Sequence, residues 1–480
     1  MPNLLSINFF VPELVLSATV LILLVGSLFK GFNKGLVSSY LAMAGLLIAF
    51  IFSLFQYNVG TPPIFWGMIV VDKPLIFFKA IFSITAVLII IFSQRSKELF
   101  PILTKEGKGD APEYYALIVG SVLGMNLLAG ANNLLMIYLA LEFVSLLSYV
   151  LVGYVKDSPR SGEAALKYVL YGAVASGVFL FGASLYYGAT GSLYLSGFSS
   201  LAHLPSSIIS LAGILMLAGF FYKIAAVPMK AWCPDVYEGA PIPITAFLSV
   251  AQKAAGFAIL MRVSSEQGLT FGWPLIIVAV SALTMTFGNL AAIPQNNIKR
   301  LLAYSSIAHA GYLLMGVACA TSKGFQAVYF YFIAYLVMNL GAFLVVEIVS
   351  NKTGSEGMES FKGLGRRGGY GTILGIVMTI FLLSLTGVPP FVGFVGKFYI
   401  FSAVVEAKLY WLAIVGIVNS VISLYYYMRV VKTMFFDEST DQAPFTVDAA
   451  RLGTLAIFLA VLTIVLGLFW QPISTLVLSL

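Results

Sequence analysis

Cysteine and histidine are scarce in this chain of 480 residues, which has two of each. Cys233 and Cys319 are too few to ligate an iron–sulfur cluster or a tetrahedral zinc ion by themselves. His203 and His309 add too few imidazoles for most other metal centres. We therefore expect no metal and no redox cofactor on this chain.

Charged residues are also scarce, at 10% of the chain, whereas 60% of the residues are apolar and 14% are aromatic. A soluble domain has about a quarter of its residues charged. Here the apolar residues form runs of about 20, the length that crosses the hydrocarbon core of a bilayer. This composition excludes a soluble enzyme and predicts an all-α polytopic membrane protein with about fourteen transmembrane helices. Their short connections leave no room for a separate cofactor-binding domain.

The excess of positive charge follows the alternation of the loops. Of the 27 Lys and Arg residues, 19 lie in or beside loops that follow odd-numbered helices, four lie in loops that follow even-numbered helices, and four lie inside helices. The positive-inside rule makes the odd loops cytoplasmic and places both termini outside, on the periplasmic side of a bacterial inner membrane. Topology accounts for the charge, so we predict the lipid bilayer as a partner and no nucleic acid.

An internal repeat appears when the sequence is shifted against itself by 163 residues. The shift aligns Asn126 with Asn289, Asn133 with Asn296, Tyr149 with Tyr312, Tyr168 with Tyr331, and Thr190-Gly191-Ser192 with Thr353-Gly354-Ser355. The matches relate helices 4–7 to helices 9–12, and because the unit of five helices is odd, its copies cross the membrane in opposite directions. We therefore predict N-terminal helices 1–3 in residues 1–110, inverted five-helix repeats in 111–266 and 267–436, and helix 14 in 437–480.

Prolines interrupt helices 7 and 12 at corresponding positions of the repeat. Pro228 lies in helix 7, and Pro389 and Pro390 lie in helix 12. Proline removes a backbone donor, and the carbonyl groups it frees need water or a polar partner, because lipid offers neither. Two broken helices in matching halves indicate an internal hydrated path, although a single proline on its own would indicate an ordinary kink.

Three lysines lie near the middles of predicted spans: Lys223 in helix 7, Lys253 in helix 8 and Lys397 in helix 12. An ionised side chain at this depth costs roughly 2.5 to 3.5 kcal/mol on translocon scales. Such groups normally face a bundle interior or water, and a desolvated lysine can lose its proton. The three lysines are therefore candidates for a proton relay.

Glu142, central in helix 5, is the matching acid. At about 4 Å and an effective dielectric constant near 20, a carboxylate and an ammonium attract each other by roughly 4 kcal/mol. Making or breaking such a pair could switch Lys223 or Lys253 between holding and releasing a proton. The alternative is a static buried ion pair that fixes helix packing.

His309 lies in the middle of helix 10 and is a candidate for the same relay, because an imidazole exchanges protons near neutral pH through both ring nitrogens. A histidine that only packs and forms a hydrogen bond is the alternative.

The remaining ionisable groups are interpreted as structural. We expect Lys79 in helix 3 to reach the interface or to pair with Asp72. We expect Glu347, near the end of helix 11, to reach the cytoplasmic interface, and His203 to lie in a solvated loop.

Three motifs resemble those of a known family. They are Phe221–Pro241 (FYKIAAVPMKAWCPDVYEGAP), Lys299–Tyr312 (KRLLAYSSIAHAGY) and Gly387–Phe398 (GVPPFVGFVGKF). Together they resemble the antiporter-like, Mrp-related membrane subunits of respiratory complex I, over predicted helices 3–13. The segments Glu163–Tyr168 and Tyr187–Ser192 resemble one branch of that family, and Lys397 replaces the glutamate of a sister branch.

The resemblance implies a fold of fourteen helices and a proton-translocating role coupled to quinone reduction in other subunits. It also implies that Glu142 pairs with Lys223, that Lys253 forms the central link, and that Lys397 passes the proton to the outer side. NADH, FMN, iron–sulfur clusters and quinone would then bind to partner subunits, which include other membrane subunits of the complex. A subunit of a multisubunit cation/proton antiporter is the alternative, since it would share the lysines and the broken helices.

Overall fold

The computed structural model describes residues 6–29, 37–57, 63–103, 111–196, 206–267, 273–438, 445 and 450–480. Within these ranges the chain is helical, with no β-strand beyond isolated bridges. His203, which was expected in a solvated loop, lies outside the described residues.

Fourteen helical segments match the fourteen predicted spans. They are α1 Val11–Gly26, α2 Val37–Phe55, α3 Lys73–Ser93, α4 Pro112–Gly130, α5 Leu134–Val152, α6 Pro159–Thr190, α7a Ser206–Ile224 with α7b Trp232–Gly239, α8 Ile242–Phe247 continuing as Lys253–Gln267, α9 Trp273–Ala292, α10 Ile298–Ala318, α11 Ser322–Thr353, α12a Tyr370–Thr386 with α12b Val392–Glu406, α13 Tyr410–Phe435 and α14 Ala450–Leu468. Among the described residues, 11 helices are long and apolar enough to cross a membrane, and α1, α7a and α12a are shorter apolar helices. The predicted all-α, polytopic fold class is confirmed.

The helices form two compact units. One contains Met1–Ala225 and Gly239–Trp273, and the other contains Ala226–Glu238 and Pro274–Leu480. α7a therefore belongs to the first unit, and α7b belongs to the second except for its last residue, Gly239.

The sequence repeat is visible in matching local structure at the ends of α6 and α11, which each have 32 residues. Each helix ends at a glycine in the left-handed conformation, Gly191 with φ of 68° and Gly354 with φ of 71°, where a side chain would be strained. Just before each glycine a threonine hydroxyl donates to the backbone oxygen two residues ahead, over 3.0 Å from Thr190 and 3.1 Å from Thr353. The two helices thus end in the same way 163 residues apart.

Both predicted breaks are present, between Ile224 and Trp232 and between Thr386 and Val392. The Val227–Pro228 and Pro389–Pro390 peptide bonds are cis. Side chains satisfy the backbone donors beside the breaks. The Val227 amide donates to Thr284 Oγ1 over 3.0 Å, and the Gly393 amide donates to Ser384 Oγ over 3.1 Å.

Helix α8 contains an irregularity that the sequence did not predict. Residues Leu248–Gln252 form a π-helical turn immediately before Lys253. A π-turn inserted in an α-helix widens the helix locally and occurs often at functional sites. It also changes which direction the following residues face, so it helps to set the position of Lys253.

The expected partner of Lys79 was wrong. Lys79 forms a buried ion pair with Glu13 of α1, with Nζ 2.7 Å from Oε1. Asp72 instead caps α3 by accepting from the Leu75 amide over 2.9 Å, and it holds the guanidinium of Arg262 through two bonds of 2.8 and 3.0 Å. Seven residues separate Asp72 from Lys79, about 10 Å along a helix, so the two side chains belong to different layers of the bundle.

The expected interfacial position of Glu347 was also wrong. Its side chain is buried, with a relative exposure of 1%. Helix α11 continues for six residues beyond it, to Thr353, and packs against α10, α12a, α12b and α14. The burial of Glu347 among these helices is inconsistent with the expected interfacial position.

Candidate functional site

In the first unit, the candidate site centres on Lys223 in the last turn of α7a. Its ammonium is buried and donates to Ser145 Oγ of α5 over 3.2 Å. A Cβ atom on Gly256 of α8 would meet Lys223 Cγ at 3.4 Å and Ile224 Cγ2 at 2.6 Å. The absence of a side chain at Gly256 therefore allows the stem of Lys223 to pack close to α8, three residues beyond Lys253.

Glu142 lies on α5, one turn before Ser145. Its Oε1 atom is buried and accepts no hydrogen bond, and Glu142 forms no ion pair within 4 Å in the described part of the chain. The carboxylate is close enough to act electrostatically on Lys223. The structure thus brings the two groups into one neighbourhood, with the ammonium on the Ser145 hydroxyl, and the direct contact implied by the family stays a prediction.

Lys253 is buried at the start of the α-helical part of α8. The residue before it, Gln252, ends the π-turn and connects two other helices. Its side-chain amide donates to Ser148 Oγ of α5, and its Oε1 accepts from the Tyr168 hydroxyl of α6 over 3.0 Å. This polar contact fixes the π-turn against α5 and α6, and thereby positions Lys253.

In the second unit, His309 is buried between two tyrosine hydroxyls. Its Nδ1 lies 2.6 Å from the Tyr331 hydroxyl of α11, and its Nε2 lies 3.3 Å from the Tyr427 hydroxyl of α13. Both ring nitrogens therefore contact groups that can donate or accept a proton. The arrangement suits a relay and also holds the ring in place.

Lys397 of α12b is buried, and its ammonium binds the C-terminal end of α12a, the other half of the broken helix. Its ammonium donates to the Thr386 carbonyl oxygen over 2.7 Å and to Ser420 Oγ of α13 over 3.0 Å, and it lies 4.4 Å from the centroid of the Tyr312 ring. Thr386 is the last residue of α12a, where carbonyl groups lack helical partners and the helix dipole is negative. The break thus provides an acceptor for the ammonium at the end of α12a.

A polar network that was not predicted from the sequence lies beside this lysine. The Tyr426 hydroxyl donates to Asn289 Oδ1 over 3.0 Å, Asn289 Nδ2 donates to Asn419 Oδ1 over 3.1 Å, and Asn419 Nδ2 donates to Thr286 Oγ1 over 3.1 Å. The only sequence signal was the alignment of Asn126 with Asn289. Asn289 and Asn419 lie 130 residues apart, so their contact could not be predicted from spacing.

The groups at these sites are capable of exchanging protons. Amines, hydroxyls, an imidazole and a carboxylate lie in buried surroundings, and each can accept or donate a proton. Among the described residues, no group of three or more His, Cys, Asp or Glu could hold a metal ion. Within the part of the chain that the structure describes, Cys233 and Cys319 are buried, free cysteines.

The family model for the NADH:quinone oxidoreductase/Mrp antiporter transmembrane family matches residues 131–423, more than half of the chain. The chain therefore belongs to this family. It is a multi-pass membrane protein.

Within the family, the chain is similar to curated proteins named NADH-quinone oxidoreductase subunit N. The subunit N 2 of Chloroherpeton thalassium is 43% identical, over 97% of this chain and 93% of the relative. The subunit N of Chlorobium chlorochromatii is 42% identical, over 98% and 93% respectively. The branch indicated by Glu163–Tyr168 and Tyr187–Ser192 was that of subunit N, and this prediction is confirmed.

Solved structures share the same fold. A chain of respiratory complex I from Thermus thermophilus with bound aureothin superposes with a TM-score of 0.81 at 32% identity, and the match covers 97% of this chain and 98% of the other. A chain of the Mrp complex from Dietzia sp. has a TM-score of 0.81 at 20% identity, covering 98% and 96%, which shows a common fold.

Proposed function

We propose that this chain is a proton-translocating membrane subunit of an NADH-quinone oxidoreductase. It moves protons along buried Lys, Glu and His side chains and water, and quinone reduction in other subunits drives the movement. The chain contributes to a translocase while carrying out no redox chemistry itself. The subunit N relatives, similar over almost the whole chain, support this assignment.

The observation that carries the proposal is the placement of Lys223 and Lys397 beside the two helix breaks. Each ammonium is buried and each donates to a serine hydroxyl, Ser145 for Lys223 and Ser420 for Lys397. A buried lysine without a carboxylate in direct contact is costly to keep charged. It can therefore change its protonation state when its surroundings change.

The proposal extends to partners and location. NADH, FMN, iron–sulfur clusters and quinone would bind to partner subunits, and the partners in the membrane would be other membrane subunits of the same complex. The positive loops support a bacterial inner membrane with both termini on the periplasmic side.

The test is the substitution Lys223→Ala in the assembled complex. We expect proton pumping in membrane vesicles to fall sharply while NADH-driven quinone reduction shows that the complex has assembled. Lys167→Ala is the matched control, because Lys167 is a half-buried lysine on α6 that pairs with Glu163 one turn away. Normal pumping at normal assembly would remove Lys223 from the mechanism.

A second candidate is a subunit of a multisubunit cation/proton antiporter, which the fold shared with the Mrp complex favours. Such a protein would exchange sodium for protons without NADH or quinone. Transport measured with each ion, in the presence and absence of NADH and quinone, separates the two functions.

A further inference from the structure

Three groups beside Lys397 form a directed series of hydrogen bonds. Lys397 donates to Ser420 Oγ over 3.0 Å, Ser420 Oγ donates to the Tyr312 hydroxyl over 3.2 Å, and the Tyr312 hydroxyl donates to the Gly416 carbonyl oxygen over 3.4 Å. Each hydroxyl in the series both accepts and donates. Such a series can pass a proton along by shifting each hydroxyl proton one place.

The Ser420 hydroxyl is in an unusual arrangement for a serine in a membrane helix. A serine there commonly donates to the carbonyl oxygen four residues earlier, as Ser145 does to Leu141. For Ser420 the corresponding acceptor is the Gly416 carbonyl oxygen, which instead accepts a hydrogen bond from the Tyr312 hydroxyl. Ser420 is thereby turned toward Tyr312, between the ammonium and the phenol.

Tyr312 connects this series to the neighbourhood of His309. The two residues lie one turn apart on α10, and their ring centroids are 5.9 Å apart. The Tyr312 ring also lies beneath the Lys397 ammonium, at 4.4 Å from the centroid. Tyr312 therefore contacts Lys397 on one side and lies next to the His309 imidazole on the other.

We propose that Ser420 and Tyr312 form a hydroxyl relay that delivers protons to Lys397. This inference rests on the proposed proton-translocating function and adds two catalytic residues to it. When Lys397 is the neutral amine, the direction of the two hydrogen bonds reverses. Tyr312 then donates to Ser420, and Ser420 donates to Lys397 Nζ. A proton on a water beside Tyr312 bonds to the phenol oxygen, the phenol proton moves to Ser420 Oγ, and the serine proton moves to Lys397 Nζ. Each hydroxyl gains and loses one proton, and Lys397 becomes an ammonium.

Two single substitutions and their combination test the relay in the assembled complex. Ser420→Ala removes the first hydroxyl, and Tyr312→Phe removes the second while keeping the ring beneath the ammonium. We expect each to lower proton pumping about a hundredfold, the lower end of the range for a lost proton-transfer group. The double substitution should be no worse than either single one, because one break already interrupts a series. Ser420→Thr restores a hydroxyl and should recover most of the pumping.

Ser423→Ala is the matched control. Ser423 is a buried serine one turn further along α13, and its hydroxyl donates only to the Ser420 backbone oxygen, over 2.7 Å. Its loss should leave pumping unchanged. Electron transfer from NADH to quinone, measured on the same membranes, reports assembly for every variant.

Three results would overturn the relay. The first is normal pumping by Ser420→Ala or Tyr312→Phe, the second is losses that multiply in the double variant, and the third is a failure of Ser420→Thr to recover pumping. The variant Lys397→Ala distinguishes a failure of the relay from a failure of the proposed function. If Lys397→Ala stops pumping while the hydroxyl variants pump normally, only the relay is wrong. If an assembled Lys397→Ala complex pumps normally, the proposed function of this lysine is wrong.

Discussion

Gly387 leaves the space that the side chain of Lys397 occupies. A Cβ atom on Gly387 would lie 2.8 Å from Lys397 Cδ, and the backbone of Gly387 has a φ of 91°, which other residues rarely adopt. The glycine that follows the last residue of α12a therefore also limits where the Lys397 side chain can lie. The break in α12 and the position of the lysine depend on the same glycine.

We expect Gly387→Ala to lower proton pumping by displacing Lys397. The left-handed backbone alone would cost about 1 to 2 kcal/mol of stability. Gly354→Ala is the control, because Gly354 has a φ of 71° with nothing within 4 Å of an added Cβ. Pumping and thermal unfolding are measured for both variants. If Gly387→Ala and Gly354→Ala pump equally, displacement of the Lys397 ammonium does not explain the change in pumping, and backbone strain does.

Lys397→Arg should lower pumping about as much as Lys397→Ala, although it preserves the charge. A guanidinium stays protonated up to about pH 12, so at working pH it neither releases its proton to the outer side nor accepts another from the inner side. Pumping by the two variants is compared with that of Lys323→Arg, which changes an exposed lysine paired with Glu406. Full pumping by Lys397→Arg would mean that position 397 supplies a fixed charge.

Glu142→Gln should impair pumping more than Glu142→Asp. The shorter carboxylate can still attract the Lys223 ammonium, whereas an amide keeps hydrogen bonding without the charge. Because Lys223 donates to Ser145, the loss in the Gln variant would be electrostatic, with that hydrogen bond retained. Equal pumping by the two variants would exclude charge as the role of Glu142.

Lys79→Met should destabilise the first unit by about 3 to 5 kcal/mol, because it leaves Glu13 buried and unpaired. Adding Glu13→Gln should recover most of that loss, since no buried charge then remains. Thermal unfolding in detergent measures both steps. The exposed pair of Lys323 and Glu406 is the control, and Lys323→Met there should change stability little. A double variant as unstable as Lys79→Met would contradict this account.

The orientation of the chain can be tested by labelling. We expect tags at both termini to react with impermeant reagents in spheroplasts, and a tag between Lys362 and Gly369 to react only after the membrane is opened. The positive-inside rule is the reason, because the loop from Lys362 to Gly369 also contains Arg366 and Arg367. The opposite labelling would mean that the charge bias was misinterpreted.

The sequence predicted those parts of the site that depend on single residues or short segments. Lys223, Lys253, Lys397 and His309 are all buried, as predicted for ionisable groups inside spans. Glu142 lies in the middle of α5, as predicted. The partners were less accessible to sequence reasoning. Nothing in the spacing indicated that Lys397 would contact Ser420.

The sequence by itself determined the fourteen helices, their repeat and their two breaks. Each follows from the length of an apolar segment or from proline, whose effect on the backbone is local. Only the tertiary structure decided which groups meet. It paired Lys79 with Glu13 across 66 positions and turned Ser420 toward Tyr312 across 108. Such contacts depend on how each helix is rotated against its neighbours, and an all-round apolar helix carries no periodic pattern that specifies this rotation.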